Sequence, residues 1–191
     1  MRVFLFLLTA MGFLNSCAQQ PKSELVSMNN VATKKAVFAS GCFWGTEYYM
    51  KRIDGVLSTS VGYTGGAVEN PTYREVCSGR TGHYEAIEVE YDPSKVDYET
   101  LARTFFETHD PTQANGQGPD IGSQYRSAIF FSSVEEKATA EKLIGLLEEK
   151  GNSVATVVLA SAIFWPAEDY HQDYYEVKGG TPYCHKYTER F

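Results

Sequence analysis

From Lys34 onward, stretches patterned like strands alternate with stretches patterned like helices. Short apolar or alternating runs bounded by turn residues predict strands in KKAVFAS, VLSTSVGY, HYEAIEVEYDP, YRSAIFF and SVATVVLA. Strands separated by helices, with antiparallel hairpins at the glycine turns, favour a domain of the α+β or α/β kind in which helices pack on a sheet.

The clearest helix pattern is SVEEKATAEKLIGLLEEKG. Ser133 and Glu136 have the spacing of a capping box at its start, and Gly151 follows as a stop. Its predicted core stripe is Ala140, Leu143, Ile144 and Leu147. DYETLARTFFETHD predicts a further helix that starts at Asp97, and PAEDYHQDYYEVK predicts a short one.

The first 16 residues have the pattern of a signal peptide, with Arg2 followed by an apolar run and then a polar stretch. The run covers twelve residues, 3–14, which is short of the roughly 20 that a membrane-spanning helix needs. LNSC resembles the lipobox of bacterial lipoproteins, so Cys17 is the predicted lipidation site and residues 17–33 a flexible tether. The predicted location is the bacterial envelope, anchored by lipid and facing the periplasm or the surface. Ordinary cleavage, giving a soluble secreted protein, is the alternative.

Composition limits what the remaining residues, 34–191, can be. The chain of 191 residues is 43% hydrophobic, which suffices for one sizeable core, so we expect a single domain and a monomer. Its 24 acidic and 17 basic side chains give a net charge of −7 without a basic stripe, which disfavours nucleic-acid binding.

Cys42 lies in GCFWG, at the junction between a predicted strand and the predicted helix FWGTEYYMKRI. A helix N-terminus lowers the pKa of a cysteine, and only the thiolate is a nucleophile. Gly41 and Gly45 allow close approach of a ligand, while Phe43 and Trp44 offer the walls of an apolar pocket. The alternative is an inert cysteine in an aromatic core.

Glu85 shares one face of the strand HYEAIEVEYDP with Ile87, Val89 and Tyr91. A carboxyl group on an apolar face loses hydration, so its pKa rises and it becomes a candidate general acid. The alternative is a carboxylate at the strand end that reaches solvent or bonds a tyrosine.

Cys184 follows Gly179 and Gly180, which open a flexible C-terminal tail. A nucleophilic sulfur, a proton donor and an aromatic pocket suit a methyl sulfoxide, whose reduction leaves a sulfenic acid on Cys42. A second thiol condenses with a sulfenic acid to form a disulfide, and Cys184 is the mobile thiol available. A static structural disulfide is the alternative in an oxidising compartment.

The chain resembles the peptide methionine sulfoxide reductases of the A type. The resemblance covers residues 37 to about 185 and is carried, in family order, by GCFWGTE, GYTGG, NPTYREVCSGRTGHYEAIEVEYDP, FFETHDPTQANGQGPDIGSQYRSAIFF, PAEDYHQDYY and PYCH. It implies an α+β fold, a two-layer α/β sandwich of the ferredoxin-like kind, with a central mixed sheet, helices packed on it and a long irregular C-terminal tail. The implied activity is reduction of the S epimer of methionine sulfoxide, in proteins and free, for protein repair after oxidative damage.

The resemblance also implies roles for single residues. Cys42 is the nucleophile, Glu85 protonates the sulfoxide oxygen and Cys184 is the recycling cysteine. Cys77 matches a position with no assigned chemistry, and we expect it to pack in the core. The implied reductant is external, a thioredoxin-like protein or dithiothreitol, with no metal or cofactor.

The implied substrate contacts involve five further residues. Tyr73 and Tyr125 bind the sulfoxide oxygen, Phe43 and Trp44 hold the methyl group, and Asp120 helps bind the substrate backbone.

Three other classes of protein compete on chemistry alone. A cysteine hydrolase would pair Cys42 with His171, which lies 129 residues downstream. A zinc site would use Cys77, His83, Cys184 and His185, whose spacing lacks the paired ligands typical of such sites. A surface lipoprotein without catalytic activity would use Cys42 and Cys184 as a structural disulfide.

Overall fold

The computed structural model describes Met1 and residues 32–191. The predicted signal peptide beyond Met1, the lipidation site Cys17 and the tether up to residue 31 lie outside the described residues. None of the helices in the described part of the chain is long and apolar enough to cross a bilayer.

Strands and helices alternate along the described domain. The strands are β1 (Lys34–Ser40), β2 (Val56–Thr64), β3 (Tyr84–Tyr91), β4 (Gly116–Gln117), β5 (Asp120–Ile121), β6 (Ser127–Phe131), β7 (Val157–Ala160) and β8 (Trp165–Pro166). The helices are α1 (Phe43–Met50), α2 (Tyr73–Cys77), α3 (Tyr98–Thr108), α4 (Val134–Glu149) and α5 (Tyr174–Lys178).

The main sheet has six strands in the order β7-β6-β1-β3-β2-β8. All neighbours pair antiparallel except β6 and β7, which are parallel, so the sheet is mixed. Its central part, β6-β1-β3-β2, has the strand order of a split β-α-β unit of the ferredoxin-like kind. The predicted fold class, with a central mixed sheet and helices packed on it, is confirmed.

The two faces of the sheet carry separate apolar clusters. On one face, Phe38 of β1 and Ile87 of β3 pack against Leu101 of α3 and Leu143 of α4. On the other, Ala39 and Ala86 pack in a smaller cluster that Phe164 covers. The alternation in β3 thus predicts its burial correctly, since Glu85, Ile87, Val89 and Tyr91 are all buried on one side.

The predicted N-caps of α3 and α4 are present. Asp97 accepts a hydrogen bond from the Thr100 amide at 2.8 Å, and Ser133 accepts one from the Glu136 amide at 3.2 Å. The Glu136 carboxylate, however, accepts from the amide of Ser132 at 2.7 Å, so the predicted capping box is formed only in half.

Several element boundaries differ from those predicted. The helix after Cys42 ends at Met50, because the amides of Arg52 and Ile53, which follow the C-cap residue Lys51, bond to carbonyls three residues back. PAEDYHQDYYEVK divides into a 3-10 turn at Asp169–His171 and α5, because Asp173 between them has a left-handed φ of 54°.

Two strands are shorter than the sequence stretches predicted to form them. YRSAIFF contributes β6 only from Ser127, since Ser123–Tyr125 form a 3-10 turn. SVATVVLA contributes β7 only from Val157, because the Ala155 amide donates to the Pro111 carbonyl at 2.7 Å, outside the sheet.

The C-terminal tail, residues 179–191, contains neither helix nor strand. Its last part lies along α3, with the Lys186 amide donating to the Thr108 carbonyl at 3.1 Å and the Thr188 amide to the Glu107 carbonyl at 2.7 Å. The ring of Phe191 packs edge-on against Phe106. These contacts hold the end of the tail, and with it Cys184, beside the start of α1.

Candidate active site

The sequence-predicted site residues in the domain lie at one end of the sheet. Cys42 lies two residues after the end of β1, and Glu85 is the second residue of β3, which runs antiparallel to β1. Tyr63, near the end of β2, pairs with Glu85 in the sheet register. The sheet topology therefore places the thiol and the carboxyl group on neighbouring strand ends.

Cys42 occupies the N-cap position of α1 and is 7% exposed. Gly41 before it has a φ of +98°, in the left-handed region that glycine favours. A Cβ at Gly41 would lie 2.4 Å from the Cβ of Gln117, so the glycine also makes room for the β4–β5 hairpin. The predicted position of Cys42 at a strand-to-helix junction is confirmed.

The helix N-terminus acts on Cys42 in the predicted direction, but the net pKa of this thiol is raised, not lowered. The backbone N–H of Trp44 does favour the thiolate, but a hydrogen bond with Cys184 and burial both favour the thiol and raise the pKa. The C-terminal tail reverses the effect of the helix, so Cys42 is a neutral thiol while Cys184 lies against it.

Glu85 is 1% exposed, which excludes the alternative of a carboxylate that reaches solvent. Its Oε2 accepts the Phe43 N–H at 3.2 Å, and its Oε1 has no hydrogen-bond partner among the described residues. Burial raises the pKa of this carboxyl well above its usual range, and the neighbouring Cys42 adds to the shift. Glu85 therefore keeps a proton at pH values where an exposed glutamate is ionised.

Tyr73, the first residue of α2, and Tyr125, at the end of a 3-10 turn, are half-buried. Burial raises the pKa of both phenols, and the charge of Glu85 raises both further. Both hydroxyl groups thus stay protonated near Glu85, where they are available as hydrogen-bond donors.

Aromatic rings surround the first turn of α1. Phe43 is buried, and the half-buried Trp44 stacks on Tyr174 with 3.7 Å between ring centroids and 8° between planes. His171 packs against Phe43 at 5.1 Å and against Tyr73 at 4.5 Å between centroids. Phe43 and Trp44, the two residues predicted to line an apolar pocket, therefore belong to an aromatic cluster that also contains Tyr174 and His171.

Cys184 reaches Cys42 from the tail. The two Sγ atoms and a carboxylate oxygen of Asp120 lie within 4.8 Å of one another, and both cysteines are free thiols. The Tyr183 hydroxyl donates to Asp120 at 3.1 Å, and Gln117 Nε2 donates to the Cys184 carbonyl at 3.0 Å. Asp120 and Gln117, from the β4–β5 hairpin, thereby hold the second thiol beside the first.

Cys77 is exposed, so the prediction that it packs in the core is wrong. It is the last residue of α2, where Val76 takes the buried position instead. His83 and His109 have structural roles, since both ring nitrogens of each bond to neighbouring groups.

His171 does not form the dyad that a cysteine hydrolase requires. It is buried, and neither ring nitrogen has a hydrogen-bond partner within the described residues, Cys42 included. Its ring packs against aromatic rings, so His171 has a packing role and does not exchange a proton with Cys42.

Sequence reasoning gave no structural role to three polar residues that hold the site together. Glu168 accepts from the Tyr73 amide at 2.9 Å and from the Tyr63 hydroxyl at 2.9 Å, which fixes the start of α2 against β2. Gln117 and His185 flank Cys184. All three lie in motifs that carry the family resemblance, and His185 also directly follows Cys184, but the sequence indicated none of their contacts.

A protonated carboxyl group beside one thiol, with a second thiol within reach and an apolar wall, defines a thiol-dependent oxidoreductase. Residues 34–191 match the family described as peptide methionine sulfoxide reductase. The chain belongs to this family.

Relatives from several organisms cover most of the chain. It is 46% identical over 158 residues to peptide methionine sulfoxide reductase MsrA of Haloquadratum walsbyi, which covers 82% of this chain and 91% of that protein. Over 156 residues it is 50% identical to MsrA of Erwinia tasmaniensis, covering 81% and 88%.

Solved structures of the family are similar in fold. Reduced Mxr1 from Saccharomyces cerevisiae has a TM-score of 0.75 and 36% identity, covering 83% of this chain and 93% of that one. Mxr1 in complex with Trx2 has a TM-score of 0.57 and 26% identity, covering 87% and 97%.

Proposed function

We propose that this domain, acting as a monomer, reduces the S epimer of methionine sulfoxide, free and in proteins, by way of a sulfenic acid on Cys42 and a disulfide with Cys184. The observation that carries the proposal is the meeting of the Cys42 and Cys184 sulfurs within 4.8 Å, with the buried Glu85 beside the first turn of α1. The reaction repairs oxidised methionine.

In the first step the Cys42 sulfur attacks the sulfoxide sulfur while Glu85 gives its proton to the sulfoxide oxygen. The thiol proton of Cys42 passes to the Glu85 carboxylate, which is thereby protonated again. The oxygen then moves to Cys42 as a sulfenic acid, and the thioether of methionine leaves. The raised pKa of Glu85 supports this assignment, because only the protonated carboxyl group can act as the acid.

Substrate binding uses groups around these two residues. The protonated hydroxyl groups of Tyr73 and Tyr125 donate to the sulfoxide oxygen, and Phe43 and Trp44 contact the methyl group. Asp120 binds the substrate backbone once the Tyr183 hydroxyl releases its carboxylate.

In the second step Cys184 attacks the sulfenic acid, the S–O bond of Cys42 breaks, and water leaves as the disulfide forms. A thioredoxin-like protein then reduces the disulfide, with dithiothreitol as a chemical substitute. The structure of Mxr1 with Trx2 supports a donor of this type.

The test is an assay of separate epimers. With dithiothreitol, the purified protein is expected to convert peptide-bound and free S-sulfoxide to methionine and to leave the R epimer intact. A Cys42→Ser variant should form no methionine, because it lacks the nucleophile. Consumption of the R epimer, or activity in Cys42→Ser, would contradict the proposal.

Export and lipidation at Cys17 complete the proposal, with a soluble secreted form as the alternative. The apolar run and the LNSC motif support this part of the proposal. In the domain, β1 begins at Lys34 and leads to Cys42. At about 3.3 Å per residue, the strand places the attachment point roughly 20 Å from the active site. An anchored domain would therefore present its site away from the point where the tether joins, accessible to envelope proteins.

Replacing Cys17 with alanine tests the anchor. We expect the parent protein in the membrane fraction, with an acylated N-terminal peptide by mass spectrometry, and the Cys17→Ala variant in the soluble fraction. Firm anchoring needs more than one acyl chain, so the mass shift should correspond to multiple chains. An unmodified Cys17, or equal partitioning of the two proteins, would exclude lipidation.

A further inference from the structure

His185 lies beside the reacting sulfur of the tail but has no part in the steps described so far. Its Nδ1 is 3.2 Å from Cys184 Sγ, within hydrogen-bond distance for sulfur. The side chain is buried, with a relative exposure of 4%. A buried imidazole in contact with a nucleophilic thiol is the arrangement by which a base activates a nucleophile.

The opposite edge of the ring offers hydrogen-bond acceptors for a proton on Nε2. His185 Nε2 faces Ser40, 3.4 Å from its Oγ, and lies 3.5 Å from Thr46 Oγ1. Both hydroxyl groups can accept a hydrogen bond from Nε2–H. In the neutral tautomer that carries its proton on Nε2, the lone pair of Nδ1 is directed at the Cys184 thiol.

The space that holds the His185 ring is formed by residues on either side of Cys42. A Cβ at Gly45 would lie 2.2 Å from His185 Nδ1, so only glycine leaves room for the imidazole against the first turn of α1. Ser40 and Thr46, whose hydroxyl groups bond each other at 2.7 Å, flank the ring. Residues on both sides of Cys42 thus hold the base of the second thiol.

We propose that His185 is the general base of the disulfide-forming step. This assignment rests on the proposed role of Cys184 as the resolving thiol. His185 Nδ1 accepts the Cys184 thiol proton as the S–S bond to Cys42 forms and the S–O bond of its sulfenic acid breaks. The proton passes from the imidazole to the leaving hydroxide, which departs as water, so the two sulfurs are joined and no external oxidant or reductant is consumed.

The groups around His185 keep it neutral. Burial lowers its pKa to about 4, against smaller opposing effects of the Ser40 carbonyl and Asp120. The other titratable neighbours are Cys184, its hydrogen-bond partner, and His109, a buried histidine whose pKa is about 3. A cleft of about 180 Å³, lined also by Asp110, Lys186 and Arg190, opens beside the ring. At neutral pH the imidazole is therefore uncharged and Nδ1 can accept the Cys184 thiol proton. Because its pKa is low, it holds that proton only until the leaving hydroxide takes it.

A single-turnover experiment separates this step from the first. Reduced parent and His185→Asn proteins are each mixed with one equivalent of S-sulfoxide, and methionine release and loss of free thiols are followed in quenched samples. Asparagine keeps an acceptor near Nδ1 but cannot carry a proton. We expect methionine release within about twofold of the parent and disulfide formation slower by about 10²-fold or more. The accumulating sulfenic acid should be trapped by a 1,3-diketone on Cys42.

The pH profile and two further variants complete the test. Disulfide formation in His185→Asn should rise with pH through the alkaline range, because only thiolate formed without help can attack, whereas the parent should vary little above neutrality. His185→Gln, which keeps an amide near Nε2, should behave like His185→Asn and replaces it should that protein not fold. Tyr187→Ala, at an exposed tail position, should match the parent.

Three results would overturn the assignment. Disulfide formation within threefold of the parent in both His185 variants would show that the base is not needed. An equal loss of methionine release would indicate a structural role. Absence of methionine from the parent itself would refute the proposed function, and the His185 proposal with it.

Discussion

A Glu85→Gln variant is expected to reduce methionine sulfoxide about 10²- to 10⁴-fold more slowly than the parent. The amide has nearly the shape of the protonated carboxyl group, so it can occupy the same site beneath the Phe43 N–H. It cannot give a proton to the sulfoxide oxygen, and the rate of methionine formation in a single turnover should report that loss directly.

The pH dependence of the reaction rate should also differ between the parent and Glu85→Gln. Because burial raises the pKa of Glu85, the parent should lose activity as pH rises through that pKa, while Glu85→Gln should lack this fall. The raised pKa also makes the stability of the fold depend on pH. The contribution of the protonated Glu85 is complete below the ordinary pKa of glutamate and is lost as pH rises through the raised pKa of the folded protein. The variant should therefore have an equal or higher Tm than the parent at alkaline pH. A rate within threefold of the parent, or an unchanged pH profile, would remove Glu85 from the reaction.

The fold could be predicted where the periodicity of apolar residues matches the burial of the two faces of a strand. β3 alternates because one of its faces meets the helices and the other a smaller cluster, so the burial of Glu85 and Ile87 follows from the spacing alone. Boundaries could not be predicted in this way. The left-handed residue Asp173 divides one predicted helix, and no local propensity indicates that conformation there.

The site was predictable where a residue type implies its own chemistry. Cys42 at a strand-to-helix junction and Glu85 on an apolar face both show their function locally. The pKa of Cys42 was not predictable, because its direction depends on Cys184 docking from a distant part of the chain. The roles of Gln117 and Glu168 could not be predicted for the same reason. An amide or a carboxylate acquires its role only through the partners that the fold brings to it.

A Cys184→Ser variant is expected to form about one methionine per enzyme molecule and then stop when thioredoxin is the only reductant. Its Cys42 becomes a sulfenic acid as in the parent, but no disulfide can form for the donor to reduce. The expected loss of steady-state turnover is therefore nearly complete, while the first turnover keeps its rate. Serine fits the position of the tail beside Asp120 and Gln117, so the docking contacts are preserved.

The choice of reductant and a second cysteine supply the controls. Dithiothreitol is small enough to reach the sulfenic acid of Cys42 directly, so Cys184→Ser should continue to turn over with it. Cys77→Ser removes an exposed thiol and should retain the parental rate with both reductants. Sustained thioredoxin-dependent turnover in Cys184→Ser would mean that the donor attacks Cys42 itself, and the contact between the two sulfurs would then have no part in recycling.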